Sequence, residues 1–107
     1  LAHGALALML SGVRAMTKAE RDHLSQVARL GCIVCRKLGY GPTPAEIHHP
    51  RSLAGMSQKA SHFDAIPLCH AHHRTGGHGV AIHAGQRTWE ANFGTESELL
   101  EMVRGML

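Results

Sequence analysis

Between Cys32 and His83 the chain gathers its metal-binding chemistry: Cys32-x2-Cys35, His48-His49, Cys69-x2-His72-His73, then His78 and His83. Structural Zn2+ takes four ligands in a tetrahedron, mostly thiolate and imidazole. Cys32 and Cys35 supply one pair; Cys69 and His72 supply a second. The two paired spacings predict a closed zinc site, whereas isolated cysteines would read as small buried hydrophobes. Three cysteines cannot all pair with one another. In a chain without a convincing export signal, the Cys-x2-Cys spacing therefore points to metal binding in a reducing compartment rather than to disulfides.

With those four ligands set aside, His48, His49, His73, His78 and His83 remain for a second, open site. Consecutive side chains on a strand or helix point in different directions. His72 can therefore face the zinc while His73 faces elsewhere, and one of His48 and His49 can bind an ion while the other stays free to take a proton. A neutral imidazole is the natural general base near pH 7. A divalent cation beside it can stabilise charge on a phosphate and on a leaving oxygen. Asp64 could orient the base or the attacking water; its plain alternative is a surface turn residue. His3 and His23 read as tail and exposed-helix residues. His62 and His70 read as surface positions or neighbours of the site residues.

The elements that must position these groups are short. Thr17-x-x-Glu20 is a capping box that opens a helix through Leu24, Val27, Ala28 and Leu30, with Gly31 as its stop. Cys32 to Cys35 then forms a tight turn. Gly39 to Pro44 is a loop. Ala45 to His49 reads as a strand ended by Pro50. Residues 51–63 read as a long surface loop and Ala65 to Leu68 as a second strand. A helix is expected from Cys69 to Arg74, then a glycine-rich turn at Gly76-Gly77-His78-Gly79. Gly85 to Phe93 reads as a helix with Trp89 and Phe93 on its core face. Thr95-x-x-Glu98 is a second capping box, opening a last amphipathic helix through Leu99, Leu100, Met102 and Val103.

A chain of 107 residues makes one domain. It is small enough to profit from a metal staple, and its four Phe, Tyr and Trp residues cannot build a large aromatic core. The net charge of +3 is uneven. Arg29, Arg36, Lys37, Arg51, Lys59, Arg74 and Arg87 face only Glu46 and Asp64 in the metal-rich middle, which suits a polyanionic partner. Arg51, Lys59, Arg74 and Arg87 are candidate phosphate contacts. No apolar run approaches the length of a membrane span, so no membrane partner is expected. The first residues, LAHGALALMLSGVRA, lack the basic region of a signal peptide, and Met16 is a more natural start.

Glu46-Ile47-His48-His49 and Ile66-Pro67-Leu68-Cys69-His70-Ala71-His72-His73 resemble the HNH, or ββα-metal, endonuclease superfamily. Within it, the stretch from Thr17 to about Glu101 is most similar to the phage recombination-enhancement family of RecA-dependent nucleases. The order of Gly31-Cys32-Ile33-Val34-Cys35, the HH pair, the PLCxxHHR motif, Val80 to Gly85 and Thr88-Trp89-Glu90 carries the likeness. A zinc shared by a cysteine turn, a hairpin and a helix is a treble-clef arrangement, so the expected fold is α+β, a small treble-clef, ββα-metal, zinc-stabilised domain with flanking helices. Residues 1–16 read as an N-terminal extension, disordered or loosely helical, and residues 17–107 as the HNH-like nuclease domain. His49 matches the general base, His48 and His73 match ligands of the catalytic ion, and Asp64 falls where relatives carry the middle Asn of HNH. The third ligand is His83 or His78, and His83 lies in the more family-like stretch.

The same resemblance implies structural Zn2+ and a catalytic divalent cation, Mg2+ or Mn2+, with Zn2+ as the alternative; three imidazoles favour Zn2+, Ni2+ or Mn2+ over Mg2+. It implies DNA as partner, single-stranded or recombinase-coated, with a RecA-type filament. The cytoplasm of a bacterial host is the implied location, with a phage or prophage as source. Relatives carry a long basic N-terminal region, whereas residues 1–15 here hold only Arg14. A non-catalytic zinc module that binds nucleic acid or protein is the rival from another class. It would need the Cys/His set but not His48, His49 and His73 together.

Overall fold

The computed structural model describes residues 15–51 and 61–107. Residues 1–14, Lys59 and most of the expected 51–63 loop lie outside the described residues. Helix α1 spans Lys18–Arg29. Its capping box forms as the sequence predicts: Glu20 N donates to Thr17 Oγ1 (3.1 Å) and Thr17 N donates to Glu20 Oε1 (2.8 Å). Val27 is its fully buried contact with the core.

The helix stops at Gly31, whose φ of +76° suits a residue without Cβ. A Cβ there would also stand 2.9 Å from the backbone N and O of Thr43. This close approach brings the loop before the first strand against the helix end, where Cys32 N donates to Thr43 O at 3.1 Å. The expected cysteine turn is a short helix, α2, Ile33–Lys37, with Cys32 as N-cap: Cys35 N donates to Cys32 Sγ at 3.4 Å. Ile33 and Val34 are fully buried and anchor the turn in the core.

Strand β1 (Glu46–His48) pairs antiparallel with β2 (Ile66–Leu68), placing Glu46 opposite Leu68, Ile47 opposite Pro67 and His48 opposite Ile66. Pro67 is tolerated because in a two-stranded sheet each strand has a free edge. A 3-10 turn, His62–Asp64, leads into β2.

After Cys69 the expected helix forms as a wider, π-helical turn, Ala71–Thr75. His73 N still reaches Cys69 O at 2.9 Å, four residues back, but Gly76 N bonds Ala71 O at 3.0 Å, five residues back. Such widened turns recur at functional sites because they change the direction of successive side chains. A further 3-10 turn, Ile82–Ala84, precedes α3 (Gln86–Phe93) and α4 (Glu96–Met106). The second capping box also forms, with Glu98 N on Thr95 Oγ1 (3.1 Å) and Thr95 N on Glu98 Oε1 (3.2 Å).

One apolar core, Val27, Ile33, Val34, Ile66, Leu68, Ile82, Trp89, Leu99, Leu100 and Val103, joins all four helices to the hairpin. Trp89 is fully buried, with the Phe93 ring edge-on at 5.5 Å. The architecture is a small α+β domain. Among the described residues no helix is long and apolar enough to cross a membrane.

Candidate metal centres

Two groups of ligand-type side chains converge among the described residues: Cys32, Cys35, Cys69 and His72; and His48, His73 and His83. The first joins α2 to the start of the π-helical turn. Cys35 Sγ lies 3.8 Å from Cys69 Sγ. His72 Nδ1 lies 3.6 Å from Cys32 Sγ, 3.6 Å from Cys35 Sγ and 3.2 Å from Cys69 Sγ. Ligands about 2.3 Å (sulfur) and about 2.05 Å (nitrogen) from a tetrahedral Zn2+ would stand about 3.8 Å apart for S to S and about 3.6 Å for S to N. The donor set and its spacing therefore fit zinc. All three cysteines are free thiols.

Without a cation, the surroundings of this cluster favour the neutral thiol. Burial, reinforced by the neighbouring Cys69 and Cys35, pushes the Cys32 thiol up to about 12. A bound metal reverses that preference, because a coordinating thiol is deprotonated outright. Burial also holds the His72 imidazole below its ordinary range, which keeps it neutral and able to ligate.

The second group lies on the hairpin side of the same turn. His48 is almost fully buried at the end of β1, and His73 and His83 are progressively more open. His73 Nε2 and His83 Nε2 are 3.0 Å apart. The His48 ring meets His73 at 5.2 Å and His83 at 5.6 Å between centroids. Burial first, then the neighbouring His73, His48 and Arg51, lowers the His83 pKa, so the His83 ring favours its neutral form.

Two carboxylates hold the rings from behind. His73 Nδ1–H donates to Glu46 Oε1 at 2.8 Å. Glu46 is itself fixed by Arg74 (2.6 Å) and His70 (2.7 Å). The Arg74 guanidinium, and then His73, draw its carboxyl down to about 2. His48 Nε2–H donates to Glu96 Oε2 at 2.6 Å, and Glu96 is fully buried. Carboxylate–histidine pairs of this kind fix the tautomer and orientation of metal ligands.

The other candidates separate. His49 Nε2 and His62 Nδ1 are 2.9 Å apart, one ring donating and the other accepting. Burial, then His62 and His48, lowers the His49 pKa, which favours the neutral, proton-accepting form. Asp64 Oδ1 accepts from Arg104 Nη2 of α4 at 2.6 Å, so it is tied to the last helix rather than brought against His49. His78 packs on Gly85, with Nδ1 3.4 Å from Ala84 O, outside the three-histidine group. Arg51 lines a cleft of about 160 Å3 with His48, His83 and Gln86, whereas Arg74 is engaged by Glu46.

Glu46 and Glu96 escaped the sequence reading, and His62 was read only as a surface position or a neighbour of the site residues. Glu46 had a signal: it sits two residues before His48, on the same face of β1. His62 had only its proximity in sequence to Asp64. Glu96 had none, since an acid in the first turn of a helix is ordinarily a solvated partner of the helix dipole.

A small α+β domain with a zinc-type Cys3His set and an adjoining three-histidine cluster is the class that the fold and the two sites define. The family described as recombination enhancement, RecA-dependent nuclease, matches residues 16–107, and the chain belongs to it. Comparison with curated proteins finds no match.

Proposed function

We propose that this protein is a metal-dependent DNA endonuclease of the HNH, ββα-metal type, with a treble-clef zinc site, acting on recombinase-coated DNA. The carrying observation is the placement of three converging imidazoles beside a separate His49–His62 pair at the end of the same strand. A binding module held by the Cys3His set has no use for either. The family supports DNA as substrate and a RecA-type filament as partner. A bacterial cytoplasm, with a phage or prophage as source, is the setting consistent with that.

In this reading Cys32, Cys35, Cys69 and His72 hold structural Zn2+, and His48, His73 and His83 hold the working cation. Three imidazoles suit Zn2+, Ni2+ or Mn2+ better than Mg2+, which prefers oxygen ligands. A divalent cation there would neutralise charge on the phosphate and on the departing 3′ oxygen.

The chain's own groups do the rest. His49, kept neutral by burial, takes a proton from the attacking water as its oxygen forms the new bond to phosphorus and the P–O3′ bond breaks. His62 holds the His49 ring by their shared hydrogen bond. Asp64 acts at one remove, its bond to Arg104 fixing the 3-10 turn that carries His62. Arg51, which lines the cleft, would grip a flanking phosphate oxygen.

The test is cleavage of single-stranded and duplex DNA with Mg2+ or Mn2+, with and without a recombinase filament. Wild type is compared with His49→Ala after both are shown to hold one tight zinc. Activity lost in zinc-loaded His49→Ala supports the nuclease and its base. A wild type inactive under every condition, holding a single zinc, would instead mark a binding module.

A further inference from the structure

Glu96 is a fully buried acid that the reaction above does not use. It lies in the first turn of α4, about fifty residues from β1 in sequence, yet its carboxylate closes on the end of that strand. Oε2 accepts from His48 Nε2–H at 2.6 Å and from the Arg51 backbone N–H at 3.3 Å. Oε1 accepts from Gln86 Nε2 at 2.8 Å. Three donors from β1's end, the strand's exit and α3 thus converge on one carboxylate.

A neutral imidazole has one N–H and one lone pair. With the His48 proton on Nε2 and directed at Glu96, the lone pair is left on Nδ1. His73 is arranged the opposite way: its Nδ1–H is directed at Glu46, leaving Nε2 toward His83.

We infer that Glu96 is a positioning residue for the open site, holding His48 so that it ligates the ion through Nδ1 while His73 ligates through Nε2. This rests on the reading of His48, His73 and His83 as ion ligands. Glu96 also ties the ion site to α4, since the same carboxylate holds the backbone N–H of Arg51, a residue that lines the cleft.

The test uses full-length protein carrying one tight zinc, wild type beside Glu96→Gln and Glu96→Asp. Calorimetric titration with Mn2+ measures the open site, and long-range 1H–15N spectra of the protein saturated with Zn2+ identify the ligating nitrogen of each histidine. Wild type should take up a second ion with His48 bound through Nδ1 and His73 through Nε2. Glu96→Gln should weaken the second ion by about 10- to 100-fold, with the first zinc retained and Glu96→Asp recovering part of the loss. Retained zinc and an unchanged fold separate this effect from unfolding.

Wild-type affinity in Glu96→Gln, or ligation of His48 through Nε2, would overturn the inference while leaving the ion site standing. A wild type that takes up no second ion would overturn the ion site and this inference together.

Discussion

His72 and His73 are neighbours in the chain that serve different clusters: Nδ1 of His72 faces three cysteine sulfurs, and Nε2 of His73 faces His83 across 3.0 Å. The widened turn Ala71–Thr75 carries both, so the two groups share one stretch of backbone. A substitution at either histidine should therefore be read at both clusters.

Removing the closed site should be severe. Cys35→Ser or His72→Ala should abolish the tight zinc and lower the thermal midpoint by about 20 °C or more, since structural zinc supplies much of the folding free energy of small domains. Metal analysis paired with thermal melts checks this. His73→Ala should leave the tight zinc in place, and loss of both ions would contradict the division of labour.

The histidine pair should be separable from ion binding. His49→Ala should reduce DNA cleavage by about 10^2- to 10^4-fold, the usual worth of a general base. His62→Ala should cost less, and Asp64→Asn less again, because Asp64 reaches the pair only through its turn. Calorimetry should find Mn2+ affinity within a few-fold of wild type in all three. Equal cleavage by His49→Ala and wild type would remove His49 from the mechanism.

Acid should act on the two kinds of group at different pH. Glu46 is depressed to about 2 by Arg74 and then His73. Its contribution to stability is thus complete above the ordinary glutamate pKa of about 4.5, and is lost as pH falls from there through about 2. His49, His72 and His83 are also depressed, chiefly by burial, so their neutral forms favour the fold and protonation below about pH 6.5 opposes it. Carboxyl NMR titration should place the Glu46 midpoint near about 2 and return it toward 4.5 in Arg74→Ala. Ion uptake at the histidine cluster should fall as pH drops below about 6.

Gly31→Ala tests the join between α1 and the cysteine-bearing helix α2. The +76° φ and the 2.9 Å approach to Thr43 leave no room for a methyl group. A loss of about 2–4 kcal/mol is expected, combining left-handed strain with displacement of the Thr43 backbone. Urea denaturation checks it, and an unchanged midpoint would mean that the loop yields freely.

Much of this was legible because the signals are local. The Thr17/Glu20 and Thr95/Glu98 boxes set both long helices, and the paired spacings of Cys32/Cys35 and Cys69/His72 define a ligand set without reference to anything distant. Alternation at His48-His49 and His72-His73 separated side chains that the fold does direct to different partners. What stayed hidden depends on tertiary approach. Glu96 becomes a partner of His48 only because α4 packs beside the hairpin. Asp64 bonds Arg104, forty residues later in the chain, and His62 bonds His49. The π-helical turn is equally hard to foresee, since residue propensities do not distinguish it from an α-helical turn.

The three-residue strands carry a further consequence. A hairpin this short has little stability alone, and its lower end is held by Cys69 and His72. The sulfur cluster, together with the Glu46 carboxylate, fixes where His73 stands relative to His48. The tight ion would therefore serve as a mould on which the weaker site is cast.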